Sequence, residues 1–535
     1  MAFRSVATCD AAQTQGMKNI AAKERAARFA ALLCIAAYAT ACAATFDRYL
    51  DEIVAADIAA DRAWDSCRTR DAFDARRTEL RRRMVNAIGG LPARTPLNAK
   101  VCATILRDGY RVEKVLFESR PRFHVTALAF VPDASAFPPP YPAIIVPCGH
   151  SPGGKAMPGY QRACVMGAKE GFLMLIYDPL DQGERMQGSS DGYCCWGHNQ
   201  LGSKALVLGL STAQFRIWDG IRAIDYVTSR SDVKPDRIGC MGNSGGGTLT
   251  AYLMALDPRI RAAAPSCYIS SIRDVVRKIG PQDAEQCIYG QLPAGVNHAA
   301  LILMGEGAVR LQLSEKDFFP IEGARDTLNV VMRTASRFGL AERYGATIVP
   351  GRHGWKESSR RSSLDWMRQW LMDEPPSGRT DADYAAMDLA FDQKSADMGL
   401  AEDEANVTAG GKVLDLPGER SVYDILVDAL IGSDTPRIVF REREPARHRF
   451  YDSKSAAEEL SMMCQLLGRS LVSDRKAEVI ATARAYFAEK GKRPVLVAED
   501  SWIRPAELAY AEAPELFAGF RSLGDGRFHS VVRAQ

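Results

Sequence analysis

Apolar positions along this chain follow two alternating rhythms. Short, nearly unbroken apolar runs at 142–146, 172–176, 238–241, 309–313 and 347–349 have the length and branched content of strands buried on both faces. Between them lie helix-spaced patterns. Ile217, Ile221, Ile224 and Val227 recur on one helical face ahead of the run at Ile238, and a second helix-like segment runs from Thr248 to Asp257-Pro258. Buried strands alternating with helices predict a mostly parallel sheet with helices on both faces. The rhythm breaks at about Asp373. Pro375-Pro376, Ser377-Gly378 and scattered acidic and small residues then read as a connector, partly helical around 385–398. A smaller α/β pattern returns near the C-terminus. The expected division is an N-terminal extension over 1–43, a large α/β domain over 44–372, a connector over 373–425 and a smaller α/β region over 426–535.

One of the strand-to-helix junctions carries chemistry. Ile238–Met241 leads into Gly242-Asn243-Ser244-Gly245-Gly246, which is Gly-x-Ser-x-Gly between a strand and a helix. Such a turn needs small neighbours for strand and helix to approach, and it presents the serine hydroxyl at the sheet edge above a helix N-terminus. In this arrangement the partners follow in the order Ser, acid, His. Of the seven histidines, His298, His353, His448 and His529 come after Ser244. His353 leaves the strand-like run Thr347–Val349 through Pro350-Gly351-Arg352, as a catalytic histidine loop should. His298 reads as a core or loop histidine. Val309–Leu313 is followed by Ser314-Glu315-Lys316-Asp317, so Asp317 is the expected acid and Glu315 the competing one. The serine would be the nucleophile, the imidazole its base, and the carboxylate would orient the ring.

An oxyanion hole needs two N–H donors. Gly245 follows the nucleophile and supplies one. The glycine-rich stretch Pro147-Cys148-Gly149-His150-Ser151-Pro152-Gly153-Gly154-Lys155 supplies the other, from His150 or Ser151. Glu184 and Arg185 read either as braces of their loop or, for Arg185, as a substrate contact. Trp355, two residues past His353, either lines the substrate pocket or packs the histidine loop.

Taken as an ordered set, these segments resemble bacterial acetylxylan-esterase-type α/β-hydrolases. The resemblance rests on Gly-Asn-Ser-Gly-Gly-Gly at 242–247, Pro-Cys-Gly-His before Lys155, Asp317-Phe318-Phe319-Pro320, and Tyr177-Asp178-Pro179-Leu180-Asp181-Gln182-Gly183-Glu184-Arg185. Gly89-Gly90-Leu91-Pro92, Ala264-Pro265-Ser266-Cys267-Tyr268 and the surroundings of His353 add to it, so it spans about 47–370. It implies an α/β-hydrolase fold, Ser244, Asp317 and His353 as the triad, and a serine hydrolase acting on carboxylic esters, often acyl groups on plant polysaccharides; an acetyl or similar short acyl ester on a carbohydrate is the substrate it leads us to expect. Two departures stand out: Asp181, where relatives usually carry glycine, and Gly305–Ala308, where relatives often have proline. A prolyl-oligopeptidase-type serine peptidase shares the elbow and the chain order, but no propeller-like repeat precedes the catalytic region. A non-catalytic carbohydrate-binding protein on a hydrolase scaffold would have little reason to keep all three triad residues.

Composition narrows the partners. A net charge of +3 over 535 residues does not suggest nucleic acid, and an ester of a small molecule or polysaccharide is the expected partner. Lys18, Lys23, Arg25 and Arg28 precede an apolar run from Phe29 to Ala39 and the small residues up to Ala44. This describes an export signal, with Met17 as an alternative start, and it is too short for a comfortable membrane span. A lipid anchor on Cys42 lacks the leucine usual three residues ahead. Among thirteen cysteines, Cys148, Cys240 and Cys267 fit buried positions, whereas Cys194 and Cys195 sit in a loop open to pairing. No Cys-x-x-Cys repeat, His-Glu-x-x-His, phosphate loop or dinucleotide fingerprint occurs, so neither metal nor cofactor is expected.

The C-terminal region echoes the catalytic one. Leu467-Gly468, a helix with Ile480, Ala483 and Phe487, the strand 494–497 and Ser501 mirror Leu208-Gly209, the helix through Val227, and the elbow at Ser244. The intervals Gly468–Ser501 and Gly209–Ser244 are 33 and 35 positions. Ala498 replaces the first elbow glycine, and Trp502 would obstruct the turn. The region reads as a truncated, degenerate hydrolase half with an inert serine.

Overall fold

The computed structural model describes residues 47–187, 197–199, 201–202, 205, 208–280, 282–393, 398–431, 437–440, 471–499 and 503–523. The expected export signal, with Cys42, and also Cys194, Cys195, Ser501 and Trp502 lie outside these residues. Nine strands form one sheet: β1 (Lys100–Arg107), β2 (Tyr110–Arg120), β3 (Phe123–Pro132), β4 (Tyr141–Pro147), β5 (Leu173–Tyr177), β6 (Val233–Asn243), β7 (Ile260–Ser266), β8 (Ala308–Lys316) and β9 (Tyr344–Arg352). Their order is β1-β2-β3-β5-β4-β6-β7-β8-β9. The pairs from β1 through β3 to β5 are antiparallel, and every pair from β5–β4 to β8–β9 is parallel. This is the α/β-hydrolase fold, with its mostly parallel sheet.

Helices cover both faces because the pleat sends alternate residues to opposite sides. Ala143 and Ile145 of β4 join Leu173 and Leu175 of β5 in a core with the helices Thr212–Thr228 and Gly245–Leu256. Ile144 and Val146 join Met174 and Ile176 on the other face, under the helices Pro158–Ala168 and Glu357–Met367. Every residue of β4 and β5 is buried, which is why both read as apolar runs. The helix Thr212–Thr228 buries Ile217, Ile221, Ile224 and Val227 as their spacing predicts, and each stabilises the sheet face by about 1.5–3 kcal/mol. Its N-cap is Ser211, whose side chain accepts from the Ala213 N–H at 3.2 Å. Among the described residues no helix is long and apolar enough to cross a membrane.

The segment 373–425 is not a free connector. Its helix Asp381–Gln393 buries Tyr384 and Phe391 in the second core, together with Leu400 and Ala405. Polar anchors fix it further. The Tyr384 hydroxyl donates to Glu170 at 2.6 Å, Arg107 meets both oxygens of Glu404 at 2.7 and 2.8 Å, and the His124 N–H donates to Glu419 at 2.8 Å. The boundary at 426 also moves. Val422, Ile425 and Leu426 of the helix Val422–Ile431 pack with Phe123, Leu180 and Phe215 of the large domain. The sequence reads as a linker because its apolar residues are few and widely spaced, whereas much of its attachment is polar.

The C-terminal region holds a parallel three-stranded sheet in the order β10 (Arg437–Phe440), β11 (Val495–Glu499), β12 (Gly519–Leu523). The helix Leu471–Lys490 precedes β11 and Ile503–Glu512 follows it. Val479, Leu496, Ala506 and Phe520 belong to a separate small core. A central strand between parallel neighbours, with a helix before and after, is also the local arrangement around β6.

Candidate active site

β6 ends at Asn243, and the helix Gly245–Leu256 starts one residue later. Ser244 makes the turn with φ 60° and ψ −126°, a conformation that costs a non-glycine residue on the order of 1–3 kcal/mol. The surrounding glycines are steric necessities. A Cβ on Gly246 would lie 2.2 Å from the Pro147 carbonyl of β4, and one on Gly247 would lie 2.3 Å from the Ser266 carbonyl of β7. A Cβ on Gly242 would meet the Gly246 carbonyl at 2.7 Å. The Ser244 N–H donates to the Ser266 carbonyl at 2.9 Å, which locks the turn against β7.

The two partners come from the ends of β8 and β9. Asp317 leaves β8, and one of its oxygens accepts from Phe319 N–H at 3.2 Å. The same oxygen lies 2.8 Å from His353 Nδ1, which fixes the imidazole and leaves Nε2 turned away from Asp317. The His353 ring stacks on Phe318, with centroids 4.3 Å apart. Glu315, the competing acid, is still on β8 and exposed, so the carboxylate beside the imidazole belongs to Asp317. No hydrogen bond joins Ser244 to His353 among the described residues, a contact that commonly tightens only with substrate bound. Cys267 lies between β7 and these loops, with Sγ 3.4 Å from Ser314 Oγ and 3.5 Å from the Gly354 carbonyl. Burial, and after it the neighbouring Asp317, pushes its thiol up to about 11, so it stays protonated. His298 is a core residue, bonded to Ser270 and to the Tyr268 hydroxyl.

The loop after β4 comes against Ser244. A Cβ on Gly149 would lie 3.2 Å from Ser244 Cβ and 2.6 Å from the Asn243 carbonyl. The Gly149 N–H is spent on the Tyr160 hydroxyl at 2.9 Å, leaving His150 and Ser151 as the candidate donors in this loop. Gln182 holds the loop by donating to the carbonyls of Gly149 and Ser151 at 2.8 and 3.0 Å. The His150 imidazole turns to a polar cluster. Its Nε2 lies 2.6 Å from Asp283, 3.3 Å from Glu285 and 3.2 Å from His198 Nδ1. Arg216 pairs with Glu285 and donates to the Cys148 carbonyl at 3.0 Å.

Arg185 is not a substrate contact. Its side chain is fully buried and donates to Asp219 at 2.6 Å, to the His124 carbonyl at 2.9 Å and to the Asp178 carbonyl at 3.1 Å. It braces β3 against the loop after β5. Glu184 belongs to a neighbouring network in which Lys155 Nζ lies 2.6 Å from both Asp178 and Glu184. Glu184 also accepts from the Val407 and Thr408 N–H groups at 2.7 Å each, tying the segment after 398 to the large domain. Asp181 has φ 63°, which explains why glycine suits this position, and its carboxylate takes the Gln187 N–H at 2.9 Å. Trp355 is half-buried beside Tyr160, with ring centroids 6.2 Å apart, and packs on the second core.

An apolar cavity of about 290 Å³ lies behind the acid loop, lined by Tyr268, Ile272, His298 and Phe319 among others, but by none of Ser244, Asp317 or His353. Among the described residues, two side-chain groups have metal-ligand character: Cys267 with Asp317 and His353, and His150 with His198, Asp283 and Glu285. The second was not legible as a motif. Its members come from three loops at irregular spacing, and only the Gln-Asp-Ala-Glu-Gln run at 282–286 hints at concentrated acid.

Comparison with known proteins agrees with this architecture. Residues 49–279 match the model of the Abhydrolase_7 family, described as an Abhydrolase family. The Bacillus subtilis (strain 168) protein YtaP, named as a hydrolase, is 28% identical over 204 residues, covering 36% of this chain and 64% of its own. The chain thus spans less than two thirds of that relative. Among solved structures, the methylesterase BT1017 superposes with a TM-score of 0.50 at 19% identity, covering 68% of this chain and 75% of the other. A glucuronoyl esterase from Solibacter usitatus gives a TM-score of 0.44 at 17% identity, with 58% and 94% covered. At 19% identity the match to BT1017 speaks for the fold alone, and it agrees with the family match over 49–279 and with the resemblance read from the sequence on the α/β-hydrolase fold.

Proposed function

On this α/β-hydrolase scaffold we propose a serine esterase that cleaves short-chain carboxylic esters by way of an acyl-enzyme. The observation that carries the reading is Ser244 at φ 60° on the strand-to-helix turn, with a histidine held by Asp317 at 2.8 Å arising from the loop after β9. His353 Nε2 takes the proton of the Ser244 hydroxyl as Oγ attacks the ester carbonyl. The Gly245 N–H, one of the free donors at the helix start, and one from His150 or Ser151 receive the oxyanion. Collapse expels the alcohol, which takes the proton from His353. Water then enters, gives its proton to His353 and attacks the acyl carbon, and the returning proton frees Ser244. Asp317 keeps the imidazole in one tautomer and stabilises its cationic form. An acetyl or similar acyl group on a carbohydrate is the substrate class we infer, supported by the sequence resemblance to acetylxylan-esterase-type enzymes.

The test is the initial rate on p-nitrophenyl acetate for the wild type and Ser244→Ala. Turnover by the wild type with a loss on the order of 10³-fold or more in the variant supports the reading. Equal, background-level rates from two folded proteins would remove it. Acetylated oligosaccharides then test the substrate class.

A further inference from the structure

Four side chains beside the oxyanion loop, His198 and Glu285 buried and His150 and Asp283 half-buried, point their lone pairs at one another. His150 comes from the loop after β4, His198 from the segment after β5, and Asp283 and Glu285 from the loop after the helix Ile272–Ile279. Their ligand atoms all lie within 4.8 Å of one another. The measured edges are 2.6 Å (His150 Nε2 to Asp283), 3.0 Å (His198 Nδ1 to Asp283), 3.2 Å (between the two imidazoles) and 3.3 Å (His150 Nε2 to Glu285). A tetrahedral ion with bonds of about 2.0–2.1 Å has ligand–ligand edges of roughly 3.3–3.4 Å.

Hydrogen bonding within the cluster is short of protons. His198 Nε2 lies 3.1 Å from the Leu180 carbonyl, an acceptor, so the ring proton sits on Nε2 and Nδ1 is left as a lone pair. That lone pair faces a carboxylate oxygen of Asp283 at 3.0 Å. Glu285 is 2% exposed, yet its Oε1 accepts no hydrogen bond. At most the single proton of a neutral His150 Nε2 serves three acceptors. The outer contacts are those of a ligand set rather than of a relay. The Leu180 carbonyl fixes the tautomer of His198, Arg216 engages the other oxygen of Glu285, and the Glu285 N–H donates to Asp283 at 3.2 Å.

We propose that His150, His198, Asp283 and Glu285 bind one divalent transition-metal ion, with zinc the best match to two imidazoles and two carboxylates in this geometry. The site ties three loops together at the wall of the active site. A Cβ on Gly245 would lie 3.0 Å from His150 Nδ1 and from Glu285 Oε1, so the ion stands behind the first oxyanion donor and sets the position of the second loop. The residues His150 and Ser151 that the sequence offers as oxyanion donors are thereby positioned by the ion as well as by Gln182.

The experiment reads metal, not turnover, so its result is separate from that of the esterase test. The full chain is stripped with chelator, titrated with zinc chloride, dialysed, and analysed for metal by mass spectrometry. The wild type should retain about one zinc per chain and melt at a higher temperature with zinc than without. Asp283→Asn and His198→Gln should weaken zinc binding by more than about 100-fold, whereas His353→Ala, in the other candidate group, should keep it. Failure of the wild type to retain zinc overturns the proposal, whatever the variants do. So does a zinc equivalent that survives Asp283→Asn and disappears in His353→Ala.

Discussion

Replacing Lys155 by methionine isolates the buried charge network behind the active-site wall. The ammonium sits 2.6 Å from carboxylate oxygens of Asp178 and Glu184, and none of the three side chains is more than 2% exposed. Asp178 also accepts from Thr126 Oγ1 at 2.7 Å and from the Lys155 N–H at 2.8 Å. Methionine preserves length and apolar stem but leaves two carboxylates facing one another without a cation. Breaking a buried pair in this way costs about 3–5 kcal/mol. Unfolding entropy near 2.1 cal/mol/K per residue, over a body of roughly 385 residues (47–431), gives about 0.8 kcal/mol/K, so Tm should fall by about 4–6 °C. Calorimetry on the wild type and Lys155→Met measures it. The pH dependence has a definite sign. Burial alone would raise Glu184, but the Lys155 charge and hydrogen bond hold it below its ordinary value. Its contribution is therefore present above the ordinary carboxylate range and lost as pH falls through the lowered value. Burial alone would lower Lys155, but Asp178 and Glu184 raise it, so its contribution is lost only as pH rises through that raised value. The Tm gap between the two proteins should be widest between about pH 5 and 10 and close towards acid. An unchanged Tm, or a gap that persists undiminished into strong acid, would refute the network argument.

Three further outcomes are expected. Asp317→Asn should keep the fold and lower kcat on p-nitrophenyl acetate by on the order of 10³–10⁴-fold, since an amide no longer fixes the imidazole tautomer; full activity would remove Asp317 from the triad. Arg185→Met should cost about 3–5 kcal/mol in urea unfolding by stranding Asp219, while the KM of the surviving folded enzyme stays put. A raised KM without loss of stability would restore the substrate-binding reading. Gly246→Ala should destabilise by about 1–3 kcal/mol or more, because the methyl meets the Pro147 carbonyl at 2.2 Å; wild-type stability would show that β4 can give way.

The parallel core of the fold was legible because buried strands and amphipathic helices leave dense local signals. Residues 238–241 and the Ile217–Val227 stripe needed no tertiary information. The elbow was legible for the same reason, since turn, strand and helix are contiguous. Asp317 could be separated from Glu315 only in three dimensions, where Glu315 proves to be an exposed strand residue. Arg185 misleads because a guanidinium near a catalytic loop looks alike in sequence whether it faces substrate or Asp219. The segment 373–425 misleads because composition carries no sign of what its amides and hydroxyls will meet. His198, Asp283 and Glu285 are the extreme case, brought to His150 by loops whose convergence no local pattern encodes.

The attachment of residues 398–431 bears on where this chain can be divided. By length and composition alone, a cut near 372 releases a finished α/β unit. Such a cut would remove the Val407 and Thr408 amides from Glu184, Glu404 from Arg107, and Leu426 from the side of Phe123 and Phe215. The remaining fragment would keep Ser244, Asp317 and His353 and lack part of its own interior. The smallest piece of this chain that is closed upon itself therefore reaches past 426, and the C-terminal sheet is an appendage to a unit that already includes its strap.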